Sequence, residues 1–165
     1  MLTSGNRGVA GNFSLSLEHG LQQAYAHMAG VPVTDPTQEE KTVRIGTHDV
    51  HSWLLRGHPN IQIIYLRLPD DSQPGQGYGA QTGASLAKLY RKEIYRITST
   101  DGLAVYTLRD LRELIGSILH MRKPTDVRML DHKGDEKHDH PDHIVSAKLV
   151  QKVVTGERVR AKVHA

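Results

Sequence analysis

The chain has no cysteine, which excludes both a disulfide framework and a thiolate metal site. Aromatic residues make up only 5%, so a core must rest on Leu, Ile, Val and Ala. No stretch approaches the roughly 18 consecutive apolar residues that a membrane-spanning helix needs. The opening residues, Met1-Leu2-Thr3-Ser4-Gly5, lack the basic-then-apolar pattern of a secretory signal. Charge of one sign is also scarce in runs. The net charge is +3 and the basic residues are scattered, with no stripe interleaved with aromatics. Nucleic acid is therefore not an expected partner.

What is present is enough chain, 165 residues, for one domain spanning residues 1–165. Hydrophobic residues at 38% and charged residues at 24% fit a polar globular chain. Histidine is abundant, with 11, several of them between His132 and His143.

Periodicity predicts the elements. Leu17, Leu21, Ala24, Tyr25 and Met28 recur at helical spacing, and Gly30 and Pro32 end that helix. A polar connection, Pro36 to Glu40, leads to short strands over Thr42–Gly46 and Val50–Leu55, then a turn at Gly57–Asn60. Ile61 to Leu68 is too apolar for a strand with one wet face, which predicts burial on both faces in a parallel sheet. A Gly-rich loop, Asp70 to Gly83, precedes a helix predicted over Ser85–Ile97. Thr107 with Asp110 three residues on resembles a capping box and opens the next helix. A strand over Thr125–Leu130, a polar loop to Asp139, a helix from about Asp142 to Val154 and an edge strand in the tail complete the chain. Strands separated by helices predict a three-layer α/β fold with a mostly parallel sheet.

Such sheets place ligands beyond the C-terminal ends of their strands. Three polar loops fall there: Leu2–Asn12, Asp70–Gly83 and Asp131–His143. The last ends in Asp139-His140-Pro141-Asp142-His143, two imidazoles and two carboxylates at the mouth of a helix. Neutral imidazoles suit Zn²⁺, and a neighbouring carboxylate can orient one by accepting its ring N–H. The same run also reads as a polar loop in which Asp139 or Asp142 caps the helix. Asp70, at a strand end, reads either as a substrate contact or as a turn cap. Gly75-Gln76-Gly77-Tyr78-Gly79 lacks the Lys-Ser/Thr of a phosphate loop, and a substrate-facing lid is the expectation there.

The order of these segments resembles the PIG-L/LmbE family of zinc-dependent de-N-acetylases. His140-Pro141-Asp142-His143 after a strand and a polar loop matches the family's H-x-D-H motif. Tyr65-Leu66-Arg67-Leu68-Pro69-Asp70 resembles its LRLPDG segment, and Thr3-Ser4-Gly5-Asn6-Arg7-Gly8 its T-x-G-D-x-G loop. Tyr106-Thr107 and the helix carrying Ala24 to Val31 agree in order.

The resemblance implies a Rossmann-like LmbE-type domain that hydrolyses the N-acetyl group of an N-acetylglucosaminyl conjugate, such as a glycolipid precursor of GPI anchors. It implies His143 as zinc ligand, His140 as the oxyanion-stabilising group and Asp142 as the residue orienting His140. Work in the GPI pathway would place the protein at the endoplasmic reticulum membrane. The family's first motif, H-x-D-D, supplies two further ligands and the general base, and no segment here matches it. His58-Pro59-Asn60 has Asn in place of a carboxylate and precedes a strand. Asn6 and Leu17 stand where the family has an acidic residue and an Arg. The expectation is a domain that is N-terminally incomplete and lacks its first strand. The alternative is a catalytically inactive homologue acting as a sugar-binding or interaction module.

Overall fold

A computed structural model describes residues 1–9, 11–32, 38–72, 75–135 and 138–165. The chain begins with α1 (Asn12–Met28), then β1 (Gln38–Ile45), β2 (His48–Leu55) and β3 (Gln62–Tyr65). It continues through α2 (Leu86–Tyr90), β4 (Arg96–Thr98), β5 (Val105–Thr107) and α3 (Leu108–Arg122). It closes with β6 (Asp126–Arg128), α4 (Pro141–Gly156) and β7 (Lys162–His164).

The fold is mixed α/β, but its sheets are mostly antiparallel. β1, β2 and β3 form a three-stranded antiparallel sheet. Only two residues separate β1 from β2, and Gly46 turns the chain there at φ +59°. That tight turn admits no crossover, so the two strands must pair antiparallel. β4 and β5 form a second antiparallel pair, again with a short connection. Parallel pairing among the described residues is confined to β6 with β7 and to Thr3 beside Leu68. These strands thus do not form the Rossmann-like parallel sheet expected from the sequence.

Other expectations shift with the strands. Of the predicted connection Pro36–Glu40, residues 36 and 37 lie outside the described residues, and β1 already begins at Gln38. The helix predicted over Ser85–Ile97 ends at Tyr90: Lys92 is left-handed at φ +64°, and Arg96–Thr98 is strand β4. Ile97 is buried all the same, now as a strand residue. The strand predicted to Leu68 splits. β3 pairs with β2 as far as Tyr65, and the next three residues turn to the N-terminal segment. There Leu66 N–H donates to the Met1 carbonyl (3.1 Å) and Leu68 N–H to that of Leu2 (3.0 Å). Ser4 N–H returns a bond to Leu68 O (3.0 Å).

One apolar core joins α2, α3 and α4 to the strands, through Leu68, Leu86, Ile97, Leu111, Leu114 and Leu149. A second packs Ala26 of α1 onto Trp53, Leu55, Ile63 and Tyr65. α1 buries an unexpected face. Its fully buried residues are Glu18, Gln22 and Ala26, at i, i+4 and i+8, while Leu17, Tyr25 and Met28 are exposed. The reason is Arg67. At φ +50°, it sends its guanidinium against Glu18 in a bidentate pair of 2.8 and 2.7 Å. Glu40 (2.8 Å) and Asp101 (3.3 Å) take its remaining donors. A planar fork facing three carboxylates outweighs the apolar stripe on the helix.

Candidate functional site

The three polar loops meet. Arg7 N–H donates to Asp70 Oδ2 (3.2 Å), which ties the first loop to the second. Gly8 lies so close to Tyr78 that a Cβ at this residue would come within 2.7 Å of the Tyr78 side chain. Asp71 N–H donates to Asp142 Oδ2 (2.9 Å), which ties the second loop to the third.

Asp71 organises the middle loop. It is completely buried, and its Oδ1 accepts from Ser72 N–H (2.8 Å) and Gly77 N–H (2.7 Å). Its Oδ2 accepts from the Ser85 hydroxyl (3.0 Å), and that hydroxyl in turn caps α2 by accepting from Lys88 N–H. The Lys88 ammonium donates to Gln76 O and Gly83 O, at 2.7 and 2.8 Å. The loop expected as a lid is therefore fastened from inside at Gly77 and from above at Lys88. Residues 73 and 74 of it lie outside the described residues.

α4 starts as a helix because Pro141 sits at its first position, where a missing N–H costs nothing. Its cap is neither aspartate. The His140 imidazole accepts the Asp142 N–H at Nδ1 (3.3 Å). This fixes His140, when neutral, as the tautomer protonated at Nε2, with that N–H free to donate. Asp139 Oδ1 accepts from His140 N–H (2.7 Å) and meets His143 Nδ1 at 2.8 Å. Nδ1 of His143 is thus the protonated nitrogen, and its Nε2 lone pair is left open. Both bonds hold the Asp139 carboxyl below the usual range, that of His143 most. The two imidazoles lie 5.6 Å apart, centroid to centroid.

Asp142 is positioned differently from the orienting role the resemblance implies. Its Oδ2 stands 3.7 Å from His140 Nδ1, beyond hydrogen-bond length, and is engaged by Asp71 N–H instead. What orients His140 is the backbone of Asp142. The carboxyl itself is buried, with Oδ1 lacking a well-formed hydrogen bond. Burial pushes its pKa up to about 8, the Asp71 N–H works against that, and the neighbouring Asp70 and Asp71 carboxylates add to it.

The remaining predicted residues fall as follows. Asp70 is buried and bonded to the first loop, a brace between loops. Asn6 is buried and accepts from Gly8 N–H at 3.4 Å, shaping the turn in which it sits. His58 lies in the β2–β3 turn, its backbone bonded to Leu55 O and Ile61 N. Sequence reasoning missed Asp71 and the role of Asp139. The signal for the second was its place just before the cap of α4, four residues from His143, within reach of a side chain in the first helical turn.

Could these residues hold the implied zinc? His143 Nε2 is a competent donor, backed by a carboxylate in the usual outer-shell manner. Among the described residues, however, no group of three or more His, Cys, Asp or Glu side chains stands together to hold a metal ion. One ligand does not make a zinc site, so the donor set does not fit the metal without further ligands.

The chain matches no family model, no curated protein sequence and no solved structure. Among the described residues no helix is long and apolar enough to cross a membrane.

Proposed function

We propose that the chain carries the His140–Asp142–His143 half of a PIG-L/LmbE-type de-N-acetylase centre on its mixed α/β frame. Its substrate would be an N-acetylglucosaminyl conjugate, including a glycolipid one, and the zinc of a complete centre would need ligands beyond His143. The observation that supports this is the complementary pair of imidazoles. Asp139 and the Asp142 backbone set opposite tautomers on rings 5.6 Å apart, one with an open lone pair and one with an open N–H. A donor beside a lone pair suits amide hydrolysis, where an oxyanion forms next to an electrophilic centre. His140 Nε2–H donates to the carbonyl oxygen as water adds. Collapse of the adduct to acetate and amine also needs a general base that takes the water's proton and passes it to the departing nitrogen, a part that His140 and His143 do not supply in this arrangement. Asp70 would act here as a brace behind the Asp142 carboxyl.

A second reading is a sugar-binding module without catalysis. It is favoured by the incomplete donor set and by the turn of Asp142 toward Asp71. Metal analysis and acetate release on one preparation separate the two. Zinc at one per chain, lost in His143→Ala, together with acetate from an N-acetylglucosaminyl phosphoinositide that His140→Ala abolishes, carries the hydrolase reading. Sugar binding with no acetate released in excess zinc overturns it in favour of the module.

A further inference from the structure

A groove of about 390 Å³ lies between β4, with the turn that follows it, and the far end of the Gly-rich loop. Pro69 lines it, but Asp70, His140, Asp142 and His143 do not.

One wall is an extended run, Arg96-Ile97-Thr98-Ser99-Thr100. Ile97 and Ser99 are buried and Arg96 and Thr98 exposed, so Arg96, Thr98 and Thr100 share the outer face. The run is fixed from behind. Thr100 N–H donates to Arg67 O (2.7 Å), and Ser99 N–H to Ala104 O (2.8 Å). The other wall is a single 3-10 turn, Gly79–Gln81, and the residues after it. Gln81 O accepts from Ala84 N–H (2.9 Å) and from the Thr82 hydroxyl (2.7 Å), and Lys88 ties down Gly83 O. Thr82 sits there at φ +55°, a left-handed backbone that a β-branched residue rarely adopts. The surrounding bonds hold it in place, and strained positions of this kind cluster at ligand sites.

Between these fixed walls polar groups are left over. Among the described residues, nothing in the chain bonds to the Arg96 guanidinium or to the hydroxyls of Thr98 and Thr100. Gln81 Oε1 is buried without a hydrogen-bond partner. No carboxylate lines the groove. Asp101, the nearest in sequence, is turned away: Oδ1 takes the Ser99 hydroxyl and Leu103 N–H, and Oδ2 faces Arg67 and His51.

This inventory selects a ligand. A guanidinium without a counter-charge suits an anion that its planar fork grips at two oxygens. A phosphate monoester has a third oxygen for the Thr98 hydroxyl, which a carboxylate lacks. Thr100 and Gln81 then offer a hydroxyl and an amide to alcohol groups. No aromatic ring lines the groove, so nothing there stacks a nucleobase. Arg96 to Thr100 span about 13 Å at the strand rise, room for a phosphate and one sugar ring end to end.

We propose that this groove binds a monosaccharide phosphate, with the phosphate on Arg96 and Thr98 and the sugar hydroxyls on Thr100 and Gln81. A ring hydroxyl gives Gln81 Oε1 the donor that it lacks in the chain. The imidazole pair takes no part, and the site does not depend on the deacetylase reading.

The test titrates the full chain with glucose 6-phosphate, glucose and inorganic phosphate, followed by amide and methyl NMR shifts. Glucose 6-phosphate is expected to saturate with a Kd below about 1 mM, moving the signals of Gln81, Thr98 and Thr100. It is expected to bind at least about tenfold more tightly than glucose or phosphate. Arg96→Gln, an exposed substitution, weakens binding at least about tenfold without changing the melting temperature. Thr98→Val keeps the shape of the strand and weakens binding about threefold to fivefold. Failure to saturate, or binding unchanged in Arg96→Gln, overturns the proposal. So does inorganic phosphate binding as tightly as the sugar phosphate, which would leave an anion site only. The double variant His140→Ala with His143→Ala is expected to bind glucose 6-phosphate unchanged, and loss of binding there would place the ligand on the imidazoles and overturn the proposal. Glucose 6-phosphate carries no acetamide, so this proposal and the deacetylase reading fail separately.

Discussion

Asp71 offers its backbone N–H to Asp142 across 2.9 Å, and that bond faces the Asp142 carboxyl into the protein and away from the His140 ring. The consequence is a buried acid whose folded pKa, about 8, is far above its ordinary 3.8. Below about pH 4 it is protonated in both folded and unfolded chains and costs nothing. Between about pH 4 and pH 8 the unfolded chain releases the proton and the folded one keeps it, so stability falls as pH rises. Asp142→Asn removes that slope. In chelator-treated protein it raises stability at pH 8 by on the order of a few kcal/mol and leaves pH 4 unchanged. Melting temperatures across that range check this, and parallel curves for the two proteins would refute it.

Asp139 and His143 are expected to report on each other. In His143→Ala the Asp139 carboxyl loses its principal hydrogen bond and its pKa rises toward the ordinary value. In Asp139→Ala the His143 ring shifts toward the tautomer protonated at Nε2, closing the lone pair that the proposed function needs. Carboxyl ¹³C and imidazole ¹⁵N chemical shifts read the two outcomes directly.

Arg67 holds the polar face of α1 in place, and the side chain of its partner Glu18 is only 2% exposed. Removing one partner of such a pair strands a buried charge, which costs about 3–5 kcal/mol. Arg67→Met is expected to lose that much in urea denaturation. Arg67→Met combined with Glu18→Leu should recover most of it. A double variant as unstable as the single would place the loss in packing and not in charge.

Gly77 has no room for a side chain. A Cβ there would lie 2.5 Å from the Gly83 carbonyl oxygen, and the residue sits at φ +70°. Gly77→Ala should therefore displace its N–H from Asp71 and open the loop, at a cost of about 2–3 kcal/mol. Limited proteolysis between residues 70 and 83, faster in the variant, is the check.

Local signals were legible in the sequence where the chain speaks to itself. The Thr107–Asp110 capping box is formed, with both reciprocal bonds present. α3 and α4 lie where periodicity predicts them, because their apolar stripes are also their buried faces. α1 was found for a reason that does not hold it: Leu17, Tyr25 and Met28 suggested the helix, but Glu18 is what it buries. That needs Arg67, 49 residues away, and no local pattern announces so distant a partner. Strand direction was misread for the same reason. Apolar content in Ile61–Leu68 predicts burial on both faces, and two different neighbours provide it in succession, one antiparallel and one parallel. At the site, the sequence picks out His140 and His143 by type and spacing. Which nitrogen of each is free depends on Asp139 and a backbone N–H, and therefore on geometry.

Thr107 is both the last residue of β5 and the cap of α3, with no residue between strand and helix. With no linking residue at that junction, rotation of α3 is expected to carry the β4–β5 pair with it as one lever. Hydrogen exchange should show this as a single opening event shared by Ile97 and Leu111, and separate openings at the two amides would count against it.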